Sequence, residues 1–135
     1  MIWLGILAFL IVICIIIFAF MRVSRKSEFD ELIEMGEQIC RESGHSIPDY
    51  EIVKSNVGTS RTVFFEEGPP RIEIHETTDI STLQLVFIHE LAHVLLDSEE
   101  HDVEFAQKQA DLMLTAVELG YLGEDAEIEE DYPHA

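Results

Sequence analysis

The run Leu83-Gln84-Leu85-Val86-Phe87-Ile88-His89-Glu90-Leu91-Ala92-His93-Val94-Leu95-Leu96 holds only four polar residues, Gln84, His89, Glu90 and His93. It is too long for an ordinary strand, and its apolar residues occupy most of a helix circumference, so it predicts a helix at the centre of a domain. Thr78, Asp79 or Ser81 can cap its start, and Ser81 followed by Gln84 has the capping-box spacing. Asp97-Ser98-Glu99-Glu100 breaks it. Burying two imidazoles and a carboxylate on such a helix is costly unless they are compensated. The chain offers few cationic side chains to do so, and a divalent metal would serve instead.

Downstream of the break, Phe105, Leu112, Met113, Ala116 and Val117 predict a second helix from about Val103 to Leu119, with Gly120 at its end. Upstream, short β-type runs lie at Tyr50 to Lys54, Thr62 to Glu67 and Arg71 to Glu76, and Gly68-Pro69-Pro70 marks a turn. These predict a small antiparallel sheet with two helices packed on it. Strict alternation in Arg71-Ile72-Glu73-Ile74-His75-Glu76 sets Ile72 and Ile74 on the core face and His75 toward solvent. Before the strands, Ser27 can cap an amphipathic helix carrying Phe29, Leu32, Ile33, Ile39 and Cys40, which Gly44 can end. His45, just beyond, is expected in a loop.

Ile2 to Met21 is 20 residues without a charge, enough helix to span roughly 30 Å of hydrocarbon. No basic side chain precedes the run and its exit is Phe18-Ala19-Phe20-Met21, so an uncleaved anchor is expected rather than a removed signal peptide. Arg22, Arg25 and Lys26 flank it, which by the positive-inside rule leaves the N-terminus outside and the body in the cytosol. The 135 residues thus divide into an anchor (1–21), a basic flank (22–26), one domain (27–123) and an acidic tail (124–135), with no room for two independent cores. From Ser27 onward 27 acidic residues face 5 basic ones, a net of −22, which argues against direct nucleic-acid binding. Cys14 and Cys40 offer no disulfide within the body, as suits a reducing compartment.

His89-Glu90-Leu91-Ala92-His93 is an HExxH motif. Residues four apart share a helix face, so both imidazoles can reach one zinc ion, while Glu90 points to the open side of the metal. Zinc lowers the pKa of its water to about 7, and Glu90 can take that proton and pass it to a leaving amine. Such a site needs a third protein ligand. His101 is the best placed, since it follows His93 after seven residues and a turn can bring it back; the plain alternative is an exposed loop histidine among Glu99, Glu100, Asp102 and Glu104. Glu104, Asp111 and His134 are weaker candidates. Tyr121, Tyr132 and His134 are the groups considered for stabilising an oxyanion.

His89-Glu90-Leu91-Ala92-His93 followed by His101-Asp102-Val103-Glu104-Phe105 resembles the WLM and SprT-like zinc metallopeptidases. Among them the chain is similar to the small membrane-anchored WLM-like proteins of large DNA viruses, which combine an N-terminal anchor, a short β region, this motif and a helix ending like Ala116-Val117-Glu118-Leu119-Gly120-Tyr121. The resemblance implies an α+β fold: a transmembrane helix, then a small zincin-like domain with a short sheet and an HExxH active-site helix. It also implies zinc ligands at His89, His93 and His101 and a catalytic base at Glu90. Gluzincins with a similar HELAH start take a glutamate ligand, but Gln107 stands at the matching position here. DNA-protein crosslink proteases of the wider family carry DNA-binding parts, for which no basic patch is present.

The expected function is a membrane-anchored zinc metallopeptidase acting on a protein or peptide substrate, facing the cytosol or, if viral, the interior of a particle. The alternative is a membrane-anchored structural or interaction protein with a structural or inactive zinc site. A structural site usually closes its fourth position with Cys or His, and Cys40 lacks metal-ligand spacing to the motif.

Overall fold

The structure, a computed structural model, describes residues 2–24, 29–75 and 79–124. It is α+β, with four helices and a three-stranded sheet among the described residues. The chain divides into two compact units, Met1–Glu31 and Leu32–Ala135. The first holds helix α1 (Ile2–Ser24), of which Ile2–Met21 has a mean hydropathy of 3.3 and is long and apolar enough to cross a membrane. Ser27, Arg25, Lys26, Thr78, Glu76 and the tail from residue 125 lie outside the described residues.

Helix α2 (Asp30–Glu42) buries Leu32, Met35, Gly36, Ile39 and Cys40. Gly44 ends it as expected: at φ +79° it takes a conformation that a side chain disfavours, and the His45 N–H reaches back to the Cys40 carbonyl at 2.8 Å. Both Cys14 and Cys40 are free thiols.

Three strands follow, β1 (Glu51–Lys54), β2 (Arg61–Val63) and β3 (Arg71–Ile74), in the order β1-β3-β2. The expected all-antiparallel sheet is corrected: β2 pairs antiparallel with β3, but β1 pairs with β3 in parallel. Two successive reversals return β3 to the direction of β1, and β3 then enters between the first two strands instead of adding outside β2. Local patterning is blind to that choice. The second strand is also shorter than its β-type run, ending at Val63. Ile72 and Ile74 are buried, as their alternation predicts, while His75 lies just past the strand, half-buried, with its N–H donating to Ser60 Oγ.

Helix α3 (Ile80–Leu96) lies across the sheet, against β3 and β2, and is buried without a break from Leu85 to Val94. Its cap is Asp79, whose carboxylate accepts from the Ser81 N–H at 3.0 Å and the Thr82 hydroxyl at 2.8 Å, so the capping-box alternative at Ser81 is not used. Fully burying residues such as Phe87, Ile88 and Leu91 contributes roughly 1.5–3 kcal/mol each, which offsets the polar groups the same helix carries inward. Helix α4 (Val103–Glu118) packs on α3. Asp102 caps α4 by accepting from the Phe105 N–H at 2.9 Å, and Gly120 at φ +85° closes it.

Candidate metal centre

His89, Glu90 and His93 are buried in the middle of α3, at 6%, 0% and 3% exposure. The helix stops because Asp97 turns left-handed at φ +50°, an unusual conformation outside glycine that the short Asp side chain tolerates. The chain then doubles back and brings His101 over the helix face. His101 Nε2 lies 3.1 Å from His93 Nε2 and 3.2 Å from His89 Nε2. Two buried imidazoles and one exposed imidazole thus converge in a group that could hold a metal ion.

Outer contacts set which ring nitrogen faces inward. His93 Nδ1 is 2.8 Å from the Ser98 carbonyl, which can only accept, so Nδ1 carries the proton and Nε2 presents a lone pair. His89 Nδ1 is 2.6 Å from Gln109 Oε1, giving the same orientation. Two lone pairs therefore point toward His101 Nε2, and one N–H there could form a linear bond to only one of them. A cation satisfies all three. Tetrahedral coordination at about 2.0–2.1 Å separates ligand nitrogens by roughly 3.3–3.4 Å, close to the two distances from His101, and all three ligand atoms lie within 4.8 Å of one another.

Phe105 forms the wall beneath the cluster. Its ring stacks on His93 at 4.3 Å between centroids and meets His89 and His101 edge-on at 4.9 and 5.0 Å. The sheet supplies the remaining contact: Thr62 is in register with Ile72, so it faces α3, and its hydroxyl donates to Glu90 Oε2 at 2.6 Å. Glu90 Oε1 is buried without a hydrogen-bond partner among the described residues. A cleft of about 370 Å³ opens here, lined by Arg61, Thr62, Val63, Glu90, His93 and Glu99.

Burial pushes the Glu90 carboxyl up to about 7, against a smaller lowering by the Thr62 hydrogen bond. A carboxyl raised in the folded state binds its proton more tightly there than in the unfolded chain. With metal stripped by chelator, this contribution to stability is complete below about pH 4.5 and is lost as pH rises through about 7. The loss amounts to roughly 2–4 kcal/mol. Glu90→Gln should flatten that part of the profile, as measured by urea unfolding followed by circular dichroism at several pH values. Equal slopes for the two proteins would contradict the assignment.

The other sequence candidates lie apart from this group. Glu104, Gln107 and Asp111 are exposed on α4 and outside the cluster. Tyr121 donates its hydroxyl to Gln38 on α2. His45 sits 3.2 Å from Lys108 Nζ, and Tyr132 and His134 lie outside the described residues. Three contributors escaped sequence reasoning: Thr62, Gln109 and Phe105 as the floor of the site. A signal existed for Gln109, an amide on the otherwise apolar stripe of Phe105, Leu112 and Ala116. Comparison with protein families, characterised proteins and solved structures returned no match.

Proposed function

We propose that the chain is a membrane-anchored, zinc-dependent metallopeptidase that cleaves a protein or peptide substrate. The observation that carries this reading is the convergence of three imidazole Nε2 atoms, two of them from the helix that also carries Glu90, whose buried Oε1 has no hydrogen-bond partner among the described residues, with Glu90 and His93 both lining an open cleft. The donor set fits zinc: three histidines leave one coordination position open, as catalytic zinc sites do. The resemblance to WLM and SprT-like metallopeptidases supports the same assignment. His89, His93 and His101 would hold the ion, which when bound supplies a Lewis acid that polarises a peptide carbonyl and acidifies water.

The residues of the chain perform the rest. Glu90 Oε1 accepts the proton from water and returns it to the leaving amine, so one carboxyl group serves as general base and then as general acid. Thr62 holds Oε2 so that Oε1 is the free oxygen. Phe105 excludes water from the rear of the imidazoles.

The apolar helix supports membrane attachment by its length and lack of charge, and the basic flank Arg22, Arg25 and Lys26 favours a cytosolic body. A mature protein whose mass lacked these residues would instead be a processed, secreted one, and protection of the body from protease added at the cytosolic face would reverse the orientation. The full chain in detergent micelles should cleave an unfolded protein, lose that activity to a chelator and regain it with zinc. Zinc binding without cleavage across a broad set of unfolded substrates would favour the structural role.

A further inference from the structure

We propose that Gln109 is a positioning residue for the metal centre: its side-chain carbonyl fixes which nitrogen of His89 faces the ion. The proposal rests on the metal reading above and adds a residue which that reading does not require. His89 and His93 occupy equivalent places on α3 but are held by different means. His93 Nδ1 is held by a main-chain carbonyl, that of Ser98, which no substitution removes. His89 Nδ1 meets the Gln109 Oε1 at 2.6 Å, so its tautomer depends on a replaceable side chain from the other helix.

The placement on α4 explains how Gln109 gets there. Phe105 lies one turn before it and Leu112 about one turn after it, both buried against α3, so the stripe that packs the two helices delivers the amide to the site. Leucine would suit packing alone. An amide in that stripe must lose water, and the bond to His89 compensates it.

The identity of the group also bears on the chemistry. A carboxylate at this position would strengthen His89 as a donor and reduce the positive charge of a bound ion. Gln109 orients the ring without that added negative charge, in a body where 27 of the side chains are acidic. An ion held by His89 would therefore keep more of its Lewis acidity.

The test uses the full chain in micelles and has a readout independent of activity. In chelator-treated protein near pH 8, long-range proton-nitrogen correlation spectra should show His89 protonated at Nδ1. Gln109→Leu should shift that ring toward the Nε2–H form and weaken zinc affinity roughly 10–100-fold, measured by competition with a chromophoric chelator. Gln109→Glu, which keeps an acceptor, should retain the Nδ1–H form and bind zinc as tightly as wild type or more tightly. A wild-type His89 protonated at Nε2 would overturn the proposal, as would Gln109→Glu losing as much affinity as Gln109→Leu. Should the leucine variant fail to fold, the wild-type spectrum and the glutamate variant still decide. A wild-type chain with the Nδ1–H form but no zinc binding would remove the metal reading and the positioning role with it, while leaving the hydrogen bond in place.

Discussion

Glu90→Gln is expected to keep about one zinc ion per chain and to lower peptide hydrolysis by a factor on the order of a hundred or more. The two outcomes separate because Glu90 is not among the three converging groups: its Oε2 is bound by Thr62, and its buried Oε1 has no partner among the described residues. Gln preserves the shape and an oxygen to accept from Thr62, but it cannot take up a proton near neutral pH. Residual turnover would come from carbonyl polarisation and substrate placement alone. Metal analysis and initial rates on one preparation suffice as measurements. Loss of zinc would make Glu90 a ligand or a support for the ligands, and unchanged cleavage would put the base elsewhere.

The same carboxylate shows why the centre of the domain was legible before any coordinates. A helix with Leu85, Phe87, Ile88 and Leu91 around it had to be enclosed, so whatever polar groups it carried had to be enclosed too, and the four-residue spacing of His89 and His93 put both imidazoles on one face. His101 was legible for a related reason: it stood beyond a helix break, with acidic neighbours but no competing imidazole at similar distance. The turn that delivers it depends on the left-handed Asp97, which the Asp97-Ser98 break anticipated in place though not in geometry.

Thr62 and Gln109 were not legible because each acts across tertiary contacts whose partners are 28 and 20 residues away. A threonine in a three-residue strand looks like ordinary β-sheet composition until its register with Ile72 and the position of α3 are known. The parallel pairing of β1 and β3 escaped on the same ground. Alternation specifies which side of a strand is buried, but strand order depends on which edges pair across the connecting loops, and the side-chain pattern does not record that. The insertion of β3 also shapes the cleft: it leaves β2 at the edge, where Arg61, Thr62 and Val63 line it.

His101→Ala should weaken zinc binding by a few hundred-fold while leaving the fold of the metal-free chain almost unchanged. Zinc binding free energies of roughly 10–16 kcal/mol shared over four ligands give about 2.5–4 kcal/mol per ligand, and each 1.4 kcal/mol is a factor of ten. His101 is the exposed member of the cluster, so its loss opens no interior cavity, whereas replacing buried His89 or His93 would remove packing against Phe105 together with the metal donor. That contrast makes His101 the informative position. Affinity is measured by chelator competition, and stability by thermal unfolding in the presence of chelator. The melting temperature of the stripped variant should match that of stripped wild type, and the increase on adding zinc should shrink in proportion to the lost affinity. Undiminished zinc affinity in His101→Ala, with metal lost instead in Glu104→Ala or Asp111→Ala, would transfer the third ligand to α4 and require α4 to turn an exposed carboxylate inward, toward the face now occupied by Phe105 and Gln109.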